Sequence, residues 1–288
     1  MEYPVVQLKP EDFPPPLREI PQVPHQLYVR GNLPPRGTTC LAVVGSRNYT
    51  TYGKQVVDYL IHGLRGYPIS IVSGLALGID ALAHEAALSA GLHTLAVPGS
   101  GLNNDALYPR RNFGLATRIL REGGGLLSEF EPDFHATKWS FPARNRIMVG
   151  LSQAVLMIEA SEKSGTLITA RLTGDYNRDL LVVPGNIFGE NSKGPHQFLK
   201  LGAIPVTTPE DILEALHMET ESAQATTPID LAGCTPEEAK VLSLLIEPQD
   251  RDTLIRELGI PTQEAAVLLM KLELSNRIKE ENGIFYKT

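Results

Sequence analysis

The sequence predicts a doubly wound α/β domain with a mostly parallel sheet, followed by a small winged-helix domain. Between residues 41 and 218, short apolar runs alternate with amphipathic segments of helical period, and glycine-containing turns follow the apolar runs. Such runs suit parallel strands that are buried on both faces, joined by right-handed helical crossovers. After residue 234, three short helical patterns precede a hairpin pattern, which is the order of a winged helix.

Composition is that of an ordinary globular protein. The chain has 288 residues, of which 42% are hydrophobic and 20% charged. No apolar run approaches the roughly 20 residues of a membrane span, and the start lacks the features of a signal peptide. Cys40 and Cys234 stand alone, without a CxxC pattern, and are interpreted as small hydrophobes. We therefore expect a cytoplasmic protein without metal or cofactor.

Charge is distributed unevenly along the chain. The net charge is −7, but residues 25–217 carry 17 Lys and Arg against 16 Asp and Glu, whereas residues 218–288 carry 7 against 13. A polyanionic partner should therefore meet the central domain and not the acidic tail.

The chain divides into four predicted parts. Residues 1–24 contain seven prolines and should form an extended or irregular arm that packs on the main domain. Residues 25–217 form the α/β domain, 218–233 a polar linker and 234–288 the winged helix. The predicted strands cover 41–45, 69–74, 93–101, 124–130, 154–160, 179–185 and 203–207, and the main predicted helices 54–64, 75–91, 113–123, 195–202 and 209–218.

Four small-residue turns follow predicted strands, at 45–47, 73–78, 98–101 and 164–166. Carboxyl ends of parallel strands lie at one edge of the sheet, where ligands bind to exposed N–H groups. The first turn lacks G-x-G-x-x-G, which argues against an ordinary NAD site, and the chain has no Walker A motif.

Cations and aromatics cluster just before the strand at 154–160. Lys138, Trp139, Phe141 and Arg144 precede it, beside the turn at 164–166. This combination suits a phosphate-bearing partner whose bases stack, and it leaves both a nucleic acid and a mononucleotide open. Trp139 is equally compatible with stacking and with packing.

Several other polar residues receive structural interpretations. Arg146 should form an ion pair with Glu159 or Asp80. Asp80 and His84, four residues apart on one helix, should bond to each other beneath a turn, and Glu159 should cap the turn at 164–166.

The winged helix is predicted to contact protein. Its third helix, TQEAAVLLMKLELSN, carries Lys271 as its one cation, beside Glu264 and Glu273, and the hairpin turns at Asn282-Gly283. Duplex DNA is bound mainly through cations. A protein-contact or regulatory role is therefore favoured over DNA reading.

Six ordered motifs, GSRNYTTYG, SGLALGIDALAHEAAL, PGSGLNNDALYP, LLSEFEP, FPARNRIMVGLS and EASEKSGTLITA, resemble those of the DNA-processing protein A family (DprA, also called Smf). The resemblance covers residues 25–217 and, more loosely, the tail. It departs from the family in the Pro-rich arm, which stands where an N-terminal helical domain is common.

The resemblance implies a Rossmann-like domain that binds single-stranded DNA, forms a homodimer and loads the recombinase RecA. Such a protein protects incoming DNA in natural transformation and is not an enzyme. By motif position, Lys138 would contact the DNA backbone, Phe141 would stack on a base and the small-residue turns would hold phosphates. The DNA-binding residues that the resemblance implies are Gly45, Ser46, Arg47, Ser73, Gly74, Lys138, Phe141, Arg144, Asn145, Ser164, Gly165 and Thr166.

Two other functions remain as alternatives. A nucleotide-processing phosphoribohydrolase would share the sheet, but SGTLITARLTGDYN has Arg171 without the nearby Glu that such enzymes carry. A regulator that reads duplex DNA through the winged helix would need a less acidic tail.

Overall fold

A computed structural model describes residues 3–218, 235–245, 249–275, 277–281 and 283–287. The chain forms two compact units, Met1–Thr220 and Glu221–Thr288. Apart from Met218, the predicted linker at 218–233 lies outside the described residues, so its conformation stays a prediction. Within the described parts of the chain, no helix is both long enough and apolar enough to span a membrane.

The first unit is built on a nine-stranded sheet with the order β1-β2-β6-β5-β4-β3-β7-β8-β9. The pairs β1–β2 and β2–β6 are antiparallel, and every other pair is parallel, which confirms the predicted fold class. The strands are β1 (Val5–Leu8), β2 (Leu27–Gly31), β3 (Thr39–Val44), β4 (Ile69–Ser73), β5 (His93–Ala96), β6 (Gly125–Ser128), β7 (Ala154–Met157), β8 (Asp179–Val182) and β9 (Ile204–Pro205). The helices are α1 (Pro15–Arg18), α2 (Thr51–Gly63), α3 (Ile79–Ser89), α4 (Phe113–Arg121), α5 (Ser140–Leu151), α6 (Thr166–Asp175), α7 (Lys193–Lys200) and α8 (Pro209–Ala215).

Helices cover both faces of the sheet, and the strands divide their side chains between the two faces. In β3, Leu41 and Val43 pack into the cluster formed with α2, α3 and α8. Ala42 and Val44 point to the opposite cluster, which includes residues of α1, α5, α6 and α7. Because successive side chains of a strand alternate, a continuous apolar run is what a strand covered on both faces requires.

The N-terminal arm packs on the first unit, but it is more regular than its prolines suggest. Val5–Leu8 adds an antiparallel edge strand to β2. Pro15 and Pro16 occupy the first positions of α1, where no backbone N–H is needed. Leu17 is fully buried, and a Cβ on Gly150 of α5 would lie 2.9 Å from its Cδ2. The prolines therefore flank regular elements and do not exclude them.

We expect Leu17→Ala to lower the free energy of unfolding by about 2–5 kcal/mol, because it leaves a cavity between α1 and α5. Urea denaturation of the purified variant measures the loss, with Val23→Ala as a control at a site that is 43% exposed. A Leu17→Ala variant as stable as wild type would mean that the arm does not belong to the folding unit.

The helix predicted from residue 75 begins only at Ile79. Leu75 and Gly78 have φ of 58° and 87°, outside the helical region, so the segment between them is a loop. A Cβ on Gly78 would lie 2.3 Å from the carbonyl oxygen of Ser46. The loop therefore crosses the turn after β3 at close range.

The second unit is a winged helix, as predicted. Its elements are α9 (Pro236–Leu244), β10 (Gln249–Asp250), α10 (Arg251–Leu258), α11 (Thr262–Leu274), β11 (Ile278–Glu281) and β12 (Ile284–Lys287). The strands form an antiparallel sheet in the order β10-β12-β11. Val241, Leu254, Leu269 and Phe285 are buried in its core. Gly283 of the predicted hairpin turn has φ of 80°, and Asn282 lies outside the described residues.

Candidate nucleic-acid interface

A cavity of about 370 Å³ opens at the carboxyl ends of the neighbouring strands β3 and β7. Its wall combines the turn after β3, the first half of α5 and the turn that leads into α6. Nine of the twelve predicted residues line it, namely Gly45, Ser46, Arg47, Phe141, Arg144, Asn145, Ser164, Gly165 and Thr166.

An exposed cation and an aromatic ring lie side by side at the rim of this cavity. The guanidinium carbon of Arg47 is 5.6 Å from the centroid of the Phe141 ring. Among the described residues, no carboxylate comes within 4.0 Å of Arg47, so its charge remains available for a ligand. The ring of Tyr108 lies 5.8 Å from Phe141 and is half exposed. This rim offers a phosphate contact next to a stacking surface.

The floor of the cavity carries a buried positive charge. Arg144 is 5% exposed, donates to the carbonyl oxygen of Val97 and bonds Oδ1 of Asn145 at 3.1 Å. The pKa of Arg144 is lowered to about 10, mainly by burial. Nearby Asp80 raises this pKa, and Arg47 lowers it. The guanidinium therefore remains protonated at neutral pH.

The turn after β4 supports this floor from below. A Cβ on Gly74 would lie 1.9 Å from Nη1 of Arg144, so any side chain there would displace the guanidinium. The N–H of Gly74 donates to Oδ2 of Asp80 at 3.1 Å. Ser73 is fully buried and donates to the carbonyl oxygen of Val43 at 2.6 Å. Ser73 and Gly74 thus lie under the cavity and do not line it.

Asp80 places a buried carboxyl group near the guanidinium. Burial raises the pKa of its carboxyl, whereas Arg144, the backbone bonds from Ala76 and Gly74, and Arg47 lower it. The pKa of Asp80 therefore depends on the neighbouring cations, because ionising a buried carboxyl group without a charged partner is energetically unfavourable.

Small residues bring the turns after β3 and β7 together. The hydroxyl of Thr166 donates to the carbonyl oxygen of Gly45 at 3.1 Å, and Ser164 donates to Thr166 at 2.9 Å. A Cβ on Gly45 would lie 2.7 Å from Ile79, so packing against α3 explains that glycine. Among the residues that the structure describes, none has an atom within 4 Å of a Cβ placed on Gly165, which leaves room for a ligand.

Lys138 and Trp139 lie on the turn before α5, outside the cavity wall. Lys138 is exposed. Trp139 is 59% exposed, yet its edge packs on the stacked rings of Phe130 and Phe134, at 5.6 and 5.5 Å. Trp139 therefore combines packing with an exposed surface that a base could meet.

Three of the structural expectations are wrong in detail. Arg146 forms its ion pair with Glu129 and not with Glu159 or Asp80. The ring of His84 bonds the hydroxyl of Thr94 at 2.7 Å and not Asp80.

Glu159 caps α2 and not the turn at 164–166. It accepts from the N–H and the hydroxyl of Thr50, at 2.9 and 2.5 Å. Strand order is the physical reason, because β7 lies beside β3 and so its end reaches the start of α2.

The sequence interpretation missed part of the cavity wall. Asn48, Ala76, Pro142, Met148, Ser161, Ile168 and Thr169 also line it. Helical spacing could have found Met148, which lies one turn after Arg144 on α5. Whether the other six residues line the cavity depends on how separate turns and helices pack together, which the local sequence does not show.

His84 should make the protein sensitive to acid. Burial and the nearby Arg144 lower its pKa from 6.5 to about 3, so the unfolded chain takes up a proton that the native state excludes. Stability is complete above the unfolded value and is lost as the pH falls from about 6.5 toward 3, by on the order of 4 kcal/mol. In His84→Gln, we expect a shallower dependence of the unfolding free energy on pH across this range, measured by urea denaturation. An unchanged slope would contradict the interpretation.

Comparison with known proteins agrees with the motifs. Residues 4–217 match the model of the DNA recombination-mediator protein A family, and residues 220–283 match the DprA winged helix domain. The chain is 37% identical to protein Smf of Escherichia coli over 292 residues, which covers 98% of this chain and 78% of that protein. This chain therefore belongs to the DprA/Smf family of DNA-processing proteins.

Two solved structures of the family have the same α/β architecture. DprA of Streptococcus pneumoniae superposes with a TM-score of 0.68 at 38% identity, covering 76% of each chain. DprA of Helicobacter pylori, described for its single-stranded DNA binding mode, superposes with a TM-score of 0.66 at 31% identity, covering 75% of this chain and 96% of that one.

Proposed function

We propose that this protein binds single-stranded DNA in the cavity between β3 and β7 and acts as a recombination mediator. The observation that carries the proposal is the pairing of the exposed Arg47 with the half-buried ring of Phe141, in a cavity that the buried guanidinium of Arg144 also lines. As a homodimer in the cytoplasm, the protein protects incoming DNA and loads RecA during natural transformation. It performs this role without catalysis and without a cofactor.

The chemistry of the cavity suits a single strand of any sequence. Cations contact phosphates, and an aromatic ring accepts the face of every base. The single-stranded DNA named for the Helicobacter pylori relative is the same class of ligand.

The two alternative functions have less support. A phosphoribohydrolase would need an accessible carboxylate in the cavity, but Asp80 is 6% exposed and holds the N–H of Gly74. A duplex reader would use α11, whose Lys271 is engaged with Glu238 at 2.7 Å.

Fluorescence anisotropy with labelled oligo-dT of roughly 30 nucleotides, beside a duplex of equal length, tests the proposal. We expect binding to the single strand that weakens steeply between about 50 and 200 mM salt, because cations displace counterions from the strand. Preference for the duplex would transfer the function to the winged helix. Absence of binding to either would overturn the proposal and favour nucleotide hydrolysis. RecA filament assembly on the bound strand, followed by light scattering, tests the loading step separately.

A further inference from the structure

A second cavity, of about 570 Å³, lies at the carboxyl ends of β7 and β8. Its wall has more apolar than polar surface, and the polar side chains of Thr50, Glu159, Asn186 and Asn191 lie within it. Glu159 is only 4% exposed. The hydroxyl of Tyr52 donates to the carbonyl oxygen of Pro184 at 2.7 Å and fixes one side of the cavity. None of the predicted DNA-binding residues lines this space.

A hydrogen bond joins a wall residue of the first cavity to a wall residue of the second. Nδ2 of Asn191 donates to the carbonyl oxygen of Asn48 at 2.7 Å. Asn48 lines the first cavity, and Asn191 lines the second. The two cavities are therefore neighbours at the carboxyl edge of the sheet.

The loop between β8 and α7 presents an exposed aromatic ring beside this second cavity. Phe188 is 89% exposed, between the cavity-lining Gly185 and Gly189. The loop is an ordered turn, because the N–H of Phe188 donates to Oδ1 of Asn186 at 2.8 Å and the N–H of Gly189 donates to its carbonyl oxygen at 2.9 Å. Ile187, next to it in the chain, is 74% exposed, so this turn presents two adjoining apolar side chains to solvent, and adjoining exposed apolar groups can mark a binding surface.

The charges of the second cavity suit a base and not a phosphate. Glu159 contributes a buried carboxylate that Thr50 holds in place, and the exposed Glu190 forms an ion pair with Lys193 at 2.7 Å. Carboxylate and amide oxygens accept hydrogen bonds from the N–H groups at a base edge, whereas they repel phosphate oxygens. The cations of the first cavity can bind the phosphates of the DNA strand while a neighbouring base enters the second cavity.

We propose that the second cavity is a base subsite for the same single strand, with Phe188 as its stacking surface. The proposal rests on the proposed function, since the strand must already occupy the first cavity. It adds nucleotides to the footprint of each protomer and extends the contact toward α7.

Binding of Phe188→Ala, Phe188→Tyr and Ile187→Ala to oligo-dT of increasing length tests the subsite. Loss of one stacked base weakens binding by about tenfold. We expect that loss in Phe188→Ala for long oligonucleotides, and little change for ones too short to leave the first cavity. Phe188→Tyr should bind as wild type does. Ile187 is 74% exposed on the same turn but cannot stack, so Ile187→Ala is the matched control.

A fluorescence experiment locates the base directly. Trp139 is the only tryptophan of the chain, so the variant Trp139→Phe/Phe188→Trp carries one fluorophore at the subsite. We expect oligo-dT to quench its emission at the concentrations that give anisotropy changes.

The outcomes separate the two proposals. Failure of wild type to bind any oligonucleotide overturns the proposed function. Normal binding by wild type with no loss in Phe188→Ala, or normal anisotropy binding by Trp139→Phe/Phe188→Trp with no quenching, overturns the subsite alone. If Phe188→Ala instead converts a dimer to a monomer in light scattering and binds DNA normally, the ring is a contact between copies and the subsite is rejected.

Discussion

The double substitution Arg47→Ala/Lys138→Ala should weaken binding of single-stranded DNA by about 100-fold or more. Each side chain is an exposed cation near the first cavity, and hydrogen bonds to charged groups contribute about 1.5–3 kcal/mol each. Anisotropy titrations with oligo-dT measure the loss. The salt dependence should also become shallower, because fewer counterions are released.

A matched control removes the same charge elsewhere. Arg36 and Arg121 are exposed, just before β3 and near the start of β6, at the amino-end edge of the sheet. Arg36→Ala/Arg121→Ala should retain most of the affinity. Equal losses in the two double variants would mean that overall charge, and not the cavity, determines binding.

Arg144→Met should lower the free energy of unfolding by about 3–5 kcal/mol, because it leaves the buried carboxylate of Asp80 without its nearby cation. The combined variant Asp80→Asn/Arg144→Met should recover part of this loss, since it removes the unpaired charge. Urea denaturation at neutral pH gives both values.

The loss in Arg144→Met should depend on pH in a definite direction. Burial raises the pKa of Asp80 above its ordinary 3.8, and removal of the guanidinium raises it further. The native state therefore keeps a proton that the unfolded chain releases, so stability declines as the pH rises above about 3.8. We expect the deficit to be smallest in acid and to grow toward neutral pH. A deficit that does not change with pH would indicate lost packing and not an unpaired carboxylate.

The elements of the fold could be predicted because each is specified locally. The apolar runs, the Gly-containing turns and the capping pattern that begins at Thr235 need only neighbouring residues. The sequence does not predict the strand Val5–Leu8, because the surrounding prolines indicate irregular structure and four residues are too few for a clear strand pattern. The late start of α3 was missed because Leu75 adopts a positive φ that sequence pattern does not reveal.

The candidate site was predictable only as far as sheet topology dictates it. Turns that follow parallel strands meet at one edge, so Arg47 and Thr166 were expected together and both line the cavity. The partners of Arg146 and Glu159 depend on the strand order, which alternation alone does not give. The burial of Ser73 depends on the depth of a turn. Contacts between residues of separate elements leave no pattern in the local sequence.

The close contact between Gly74 and the guanidinium of Arg144 also restricts how this family member can vary. A side chain at position 74 has no space while an arginine occupies position 144. The two positions are therefore coupled: any side chain at position 74 requires either a displaced guanidinium or a smaller residue at position 144, and both alter the charge at the cavity floor.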